Sequence, residues 1–199
     1  MKKPFVTLFI GISIFQTCFA DIHFGIISAI KQKVKLLTSE TGNITDGTVL
    51  GSWTRVSCGS GHTIAIKEDG TLWAWGHNLH GELGLGDTTD RSSPTRVGLD
   101  SDWSYVFGGE DYTAAIKKDG TMWSWGLNSF GQLGHGDWIG KDSPTRVGLD
   151  SDWSYVSCGD VHTVAIKKDG TLWAWGSNFF GQLGLGDKTD KWLPTKITK

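Results

Sequence analysis

Tryptophan recurs at Trp53, Trp103 and Trp153, and proline at Pro94, Pro144 and Pro194, so the chain repeats itself every fifty residues. The copies are close: Ser93–Val106 returns letter for letter as Ser143–Val156. A period of about 40 to 50 residues marks an array of like units, each burying its apolar face against the next. Such an array also acts as a filter. A residue that stands at the same place in every copy is accounted for by the fold, and functional candidates are sought where the copies differ.

One copy shows what the unit is. Trp103–Phe107 is a short aromatic and β-branched run ended by Gly108-Gly109, and Tyr112–Lys117 is a second. Asp119-Gly120 then precedes a returning run, Thr121–Trp125, which is the pattern of a tight hairpin whose glycine takes the positive φ. A long glycine-rich loop, 127–143, leads to Pro144–Val147, suited to an edge strand where proline is tolerated. Four short strands in about fifty residues make one propeller blade. The predicted fold is all-β: about three β-propeller blades of four antiparallel strands, forming an incomplete or assembling ring. In Trp73-Ala74-Trp75 both indoles fall on one face of the strand, and with Trp123/Trp125 and Trp173/Trp175 they predict a recurring layer between neighbouring sheets. The 28 glycines and 11 tryptophans suit such a turn-dense, aromatic-rich chain.

Outside the repeats, residues 1–20 read as a signal peptide. Lys2 and Lys3 precede the apolar run Phe5–Phe15, and Cys18-Phe19-Ala20 offers small residues before Asp21. The run is short of the roughly 20 apolar residues that a membrane span needs. The expectation is a secreted or periplasmic chain with no stable membrane span after cleavage. Residues 21–52 form an N-terminal segment and linker, with Phe24, Ile27, Ile30, Val34 and Leu37 spaced for a short amphipathic helix. Residues 53–199 are the propeller repeats. A formal net charge of −2 lacks the basic excess of a nucleic-acid binder, so no nucleic-acid partner is expected.

The motifs carry a resemblance. Gly70–Gly76, Asn78, Gly81-Glu-Leu-Gly-Leu-Gly-Asp87, Pro94-Thr95 and Val106-x-x-Gly109 follow one another in the order of the regulator of chromosome condensation repeat. Asn128 with Gly131–Asp137, and Asn178 with Gly181–Asp187, repeat the match. The resemblance implies a propeller, usually of seven blades. In that family's phase Thr71–Gly120 and Thr121–Gly170 are complete repeats. Trp53–Gly70 and Thr171–Lys199 are then complementary halves, as where one blade is closed by strands from both ends. Its best-known members catalyse guanine-nucleotide exchange on a small nuclear GTPase, but the copies here align without an inserted wedge. Secreted bacterial relatives use loops at one end as a protein-binding surface.

Cys58-Gly-Ser-Gly-His62 and Cys158-Gly-Asp-Val-His162 have zinc-ligand residue types. The two pairs lie on non-adjacent units, however, and read as packing. Asp87-Thr-Thr-Asp90 and Asp187-Lys-Thr-Asp190 read as turn chemistry rather than calcium loops. No catalytic, cofactor-binding or metal residues are nominated, no cofactor is expected, and the chain is not read as an enzyme. The departures from symmetry are more telling. Trp138 stands for Thr88 and Lys188, Trp192 for Ser92 and Asp142, and Phe179 for Leu79 and Ser129. Exposed loop aromatics of this kind suit protein or glycan contacts. The function expected is a secreted, non-catalytic interaction module that binds a protein or glycan through its loops; the chain is either a truncated member of the family or assembles with further copies to close a ring. The alternatives are a propeller hydrolase or lyase, and a truncated remnant of a seven-bladed exchange-factor-like protein.

Overall fold

The hairpin signal at Asp69-Gly70 organises each sheet. In the computed structural model, which describes residues 51–198, Gly70, Gly120 and Gly170 all take φ near +80°. The preceding aspartate locks the turn: Asp69 Oδ1 accepts from the Thr71 amide at 3.0 Å and the Thr71 hydroxyl at 2.7 Å. Thr71 Oγ1 in turn accepts from Trp73 Nε1 at 2.9 Å. The same arrangement recurs at Asp119 and Asp169.

Twelve strands follow. The first sheet holds β1 (Trp53–Cys58), β2 (His62–Lys67), β3 (Leu72–Gly76) and β4 (Arg91–Arg96). The second holds β5 (Trp103–Gly108), β6 (Tyr112–Lys117), β7 (Met122–Gly126) and β8 (Lys141–Arg146). The third holds β9 (Trp153–Cys158), β10 (His162–Lys167), β11 (Leu172–Gly176) and β12 (Lys191–Lys196). Each sheet is antiparallel in simple chain order. These are three propeller blades. The outer strand begins three residues before the predicted Pro144, because Gly126 pairs with Lys141 across an irregular step.

The blade is contiguous in sequence, which corrects one expectation. Trp53–Gly70 and Thr171 onward do not combine into a shared sheet: β1 and β2 pair with β3 and β4 of their own blade. The family's phase cuts the unit at the Asp-Gly hairpin, in the middle of a sheet, so the two halves belong to different blades. The predicted signal peptide and the helix in 21–52 lie outside the described residues.

The blades pack front to back. The rear of blade 1 offers Ile64, Ile66, Leu72, Leu83 and Val97, and Trp103, Val106 and Trp125 from blade 2 close over them. Ala114, Ile116, Met122 and Val147 at the rear of blade 2 receive Trp153, Val156 and Trp175 of blade 3 in the same way. The indole layer predicted between sheets is present: Trp125 and Trp175 are buried, and Trp103 and Trp153 each pack edge-on against both indoles of the third strand of their own sheet. Such burial stabilises by roughly 1.5–3 kcal/mol per large side chain. The outward faces differ sharply. Val56 is 67% exposed where Val106 is 4%, and Leu172 is 39% exposed where Met122 is 0%.

Candidate functional site

The long loops are built around a buried asparagine. Asn78 Nδ2 donates to the carbonyls of Asp87 and Thr89, and its Oδ1 accepts from the Leu83 amide at 2.9 Å. Asn128 and Asn178 repeat these bonds. The loop acids serve the same frame. Asp87 Oδ1 accepts from the Thr89 amide, its Oδ2 pairs with Arg91 at 2.6 Å, and Asp90 Oδ1 accepts from the Asn78 amide. Those contacts hold the Asp87 carboxyl below the usual carboxylate range, the Arg91 hydrogen bond first. The aspartates thus act as turn chemistry, and the rigid frame presents whatever side chains the loop carries at its surface.

Two of those loops present aromatics. Trp138 is 63% exposed, Phe179 70% and Phe180 82%. Trp138 and Trp192 meet edge-on with ring centroids 5.3 Å apart, and Phe179 and Phe180 meet at 4.9 Å. Trp192 sits on β12 and reaches across to the preceding blade: its carbonyl accepts from the Gly136 amide, and its side chain lies against Gly131. Phe130, Phe179, Phe180 and Trp192 line one cleft of about 740 Å³ with Lys188 and Asp190 at its margin. The structure therefore brings Trp192 and Phe179 to a common cleft and sets Trp138 beside Trp192. Sequence comparison missed Phe130 and Phe180, since His80 is the only polar member of that position and an aromatic shared by two copies passes the symmetry filter.

Of the cysteine–histidine pairs, His62 and Cys158 pack between blades, whereas Cys58 is exposed. His62 is buried, with Nε2 3.1 Å from Thr113 Oγ1 of the next blade. Tyr112 takes the equivalent place in blade 2 and donates to the His162 carbonyl at 2.6 Å. Burial lowers the pKa of His62, against the opposing pull of Glu82 and Asp111. Cys58 and Cys158 are both unpaired, and burial pushes the Cys158 thiol up to about 12.

A different group does converge. His77, just after β3, Glu82 in the loop of blade 1, and Asp111 just before β6 place one ligand atom each within 4.8 Å of the others. His77 Nδ1 lies 2.5 Å from Glu82 Oε1 and 4.0 Å from Asp111 Oδ1. The Glu82 side chain is 0% exposed, whereas His77 and Asp111 reach solvent. All three depart from the repeat: the matching residues are Leu127 and Ser177, Gln132 and Gln182, and Gly61 and Val161. That signal was present in the sequence, but Asp111 stands some thirty residues beyond His77 and Glu82 and on the next blade.

Comparison with known proteins places these features. The Regulator of chromosome condensation (RCC1) repeat matches residues 69–116, 119–166 and 169–199, and a second description of the same repeat matches 53–82, 103–132 and 153–182. Ras guanine nucleotide exchange factor C of Dictyostelium discoideum is 57% identical over 42 residues, 21% of this chain and 3% of that protein. Ultraviolet-B receptor UVR8 of Arabidopsis thaliana is 55% identical over 42 residues, 21% of this chain and 10% of that protein. Among solved structures, Prp20p from Saccharomyces cerevisiae aligns with a TM-score of 0.65 at 24% identity, over 74% of this chain and 38% of that one. Yeast RCC1 (Prp20), solved with Kap60 bound, aligns at 0.66 and 25% identity, over 74% and 37%. The chain thus spans a small part of its sequence relatives and under two fifths of the similar structures.

Proposed function

We propose that this chain, which belongs to the regulator of chromosome condensation (RCC1) repeat family, is a non-catalytic interaction module that binds a protein through the aromatic cleft of blades 2 and 3. The observation that carries this reading is the exposed cluster of Trp138, Phe179 and Phe180, held on loops that the Asn128 and Asn178 networks make rigid, with Trp192 beside them on β12. Exposed aromatic surface on a rigid frame is what an interaction hot spot requires, because little side-chain entropy is lost on binding. The likeness to Prp20p, whose reported binding properties concern Gsp1p and histones, supports protein recognition as the mode rather than either partner as the target. The leader-like residues 1–20 support export, so the partner is sought outside the cytoplasm. Affinity capture with the full chain and with Trp138→Ala/Trp192→Ala tests this. Loss of the captured protein from the double variant supports the cleft. Equal capture sinks it, and retention on glycan arrays alone replaces protein with carbohydrate.

A second reading is favoured by the two outward sheet faces. The front of blade 1 carries Trp53, Val56 and Trp75, the counterparts of Trp103, Val106 and Trp125 that seal blade 2 onto blade 1. The rear of blade 3 carries Ile166 and Leu172, the counterparts of Ile116 and Met122 that receive blade 3. A head-to-tail contact between copies would reproduce an interface the chain already makes twice. Light scattering tests it: a mass that rises with concentration, and returns to one chain in Val56→Asp, supports association. A single-chain mass at every concentration removes it.

A further inference from the structure

We propose that His77, Glu82 and Asp111 form a binding site for one divalent transition cation of the zinc class. The inference goes beyond the aromatic cleft and does not rest on it. It begins with a comparison the repeat makes available. In blades 2 and 3 the loop is braced by a glutamine: Gln132 Oε1 accepts from the Phe130 amide, and Gln182 Oε1 from the Phe180 amide, each at 2.9 Å. Glu82 Oε2 performs the same task, accepting from the His80 amide at 2.8 Å. The fold therefore needs only one side-chain oxygen here, and a neutral one suffices. The second oxygen of Glu82, and its charge, are surplus to the loop.

A surplus charge in a buried position is unfavourable unless something compensates it. Glu82 Oε1 is directed at His77 Nδ1, and Asp111 adds a second carboxylate from the neighbouring blade. Two carboxylates and one imidazole carry more negative charge than the imidazole can balance, whichever form it takes. A divalent cation balances both. No lysine or arginine takes that part: the described ion pairs of the three residues are with one another.

The donor set selects the kind of cation. One imidazole nitrogen with two carboxylate oxygens suits zinc and its transition-metal neighbours better than calcium or magnesium, which take oxygen alone. In a tetrahedral zinc site with bonds near 2.0–2.1 Å, ligand atoms stand about 3.4 Å apart. The 2.5 Å and 4.0 Å separations bracket that value. Rotation of His77 and Asp111, both partly exposed, adjusts them without moving the buried glutamate. Three protein ligands leave the fourth position to water or to a group on a partner. The site also joins blade 1 to blade 2, so a bound cation would cross-link the two sheets.

Isothermal titration of the chelator-treated full chain with Zn²⁺, paired with the visible absorption of Co²⁺ in the same site, tests the assignment. The expected result is one cation per chain, with binding weakened by at least about tenfold in His77→Ser, Glu82→Gln and Asp111→Gly. Each variant installs a residue that another blade already carries at that position, so a wild-type melt in the absence of metal verifies the fold. Cys58→Ser, which removes the exposed thiol, should bind as wild type does. The proposal is overturned if the wild type takes up no Zn²⁺, if uptake survives all three ligand changes, or if it disappears with Cys58. Preference for Ca²⁺ over Zn²⁺ would overturn the class of cation.

Discussion

Trp125 Nε1 of blade 2 donates a 2.9 Å hydrogen bond to the Glu82 carbonyl of blade 1, and Trp175 does the same to Gln132 one blade on. The indole is thus both the apolar seal between two sheets and the polar clasp on the loop of the preceding one. Trp125→Phe should keep most of the seal and lose the clasp. The Glu82 carbonyl still accepts from Thr113 Oγ1 at 2.8 Å, so the loss is expected near the lower end for a hydrogen bond, about 0.5 kcal/mol. Trp125→Ala should cost about 3–5 kcal/mol. Trp75→Ala, on the outward face of blade 1, should cost clearly less. Urea denaturation of the three variants reads the order, and equal losses at Trp75 and Trp125 would contradict the front-to-back packing.

Trp138, on its loop, and Trp192, on β12, should separate by stability. Trp138 projects from its loop, and Trp138→Ala is expected to change stability by less than about 0.5 kcal/mol. Trp192 lies against Gly131 and shields part of the loop of blade 2, so Trp192→Ala should cost about 1–2 kcal/mol. Differential scanning calorimetry decides between them. A large loss at Trp138 would place that indole in the structural frame rather than on a binding surface.

Much of this molecule was legible in sequence. The Asp-Gly hairpins, the inner-strand tryptophans and the four strands per unit all appeared where local chemistry put them, because each is specified by residues adjacent along the chain. The blade boundary was not. Thr71–Gly120 and Trp103–Asp152 are both fifty-residue periods, but the first cuts through the Asp-Gly hairpin, and the pairing of β2 with β3 shows that the hairpin lies inside the blade. The Cys58 and His62 pair reads as packing in sequence; the structure packs His62 against Thr113 of the next blade and leaves Cys58 exposed. The group at His77, Glu82 and Asp111 escaped notice for the opposite reason. Its members are single departures in three different motifs, and only the stacking of blade 2 on blade 1 brings Asp111 to the other two.

Lysine pairing should give the chain an alkaline limit. Lys117 Nζ lies 2.6 Å from Asp100 and 3.1 Å from Asp102, over the rings of Trp103 and Trp123. Burial pulls its pKa down, but the hydrogen bonds to Asp100 and Asp102 outweigh that and hold it above the usual lysine range. Lys167 is held the same way by Asp150 and Asp152. Stability from a raised lysine pKa is complete below the unfolded value of about 10.4 and disappears as pH rises through the folded value. The lysine contribution should therefore be flat near neutrality and fall above about pH 10.4. Lys117→Met should flatten that fall at a cost of about 1 kcal/mol at pH 7, discounted because both aspartates are half exposed.

The acid limb has a different source. Asp69, Asp119 and Asp169 are held below the usual carboxylate range by the hydroxyl and amide of the threonine two residues on. Their contribution is complete above the unfolded value of about 3.9 and is lost as pH falls through the lower folded values. Thr121→Val removes the hydroxyl donor, and should move the acid midpoint of unfolding upward. An unchanged midpoint would show that the hairpin bonds do not govern acid unfolding.

The hairpin glycines offer a test of blade order in which chemistry is held constant. Gly120 and Gly170 have almost the same φ, +85° and +81°, so alanine at either meets the same left-handed strain of about 1 kcal/mol. Their surroundings differ. A Cβ on Gly120 would lie 2.2 Å from the Ser151 carbonyl oxygen of the next blade, whereas a Cβ on Gly170 meets nothing within 4 Å. Gly170→Ala should therefore cost about 1 kcal/mol, and Gly120→Ala a further ~1–3 kcal/mol from forcing blade 3 away from blade 2. The Gly120 amide donates to the Lys117 carbonyl, and its own carbonyl accepts from the Trp153 amide, so the shift would also loosen the buried start of β9. Chemical denaturation of the pair, with hydrogen exchange at Trp153 as the local readout, checks the difference. Equal costs would mean that the clash with Ser151 is relieved freely, and that the blades are less tightly stacked than the shared core of Ile116, Met122 and Trp175 requires.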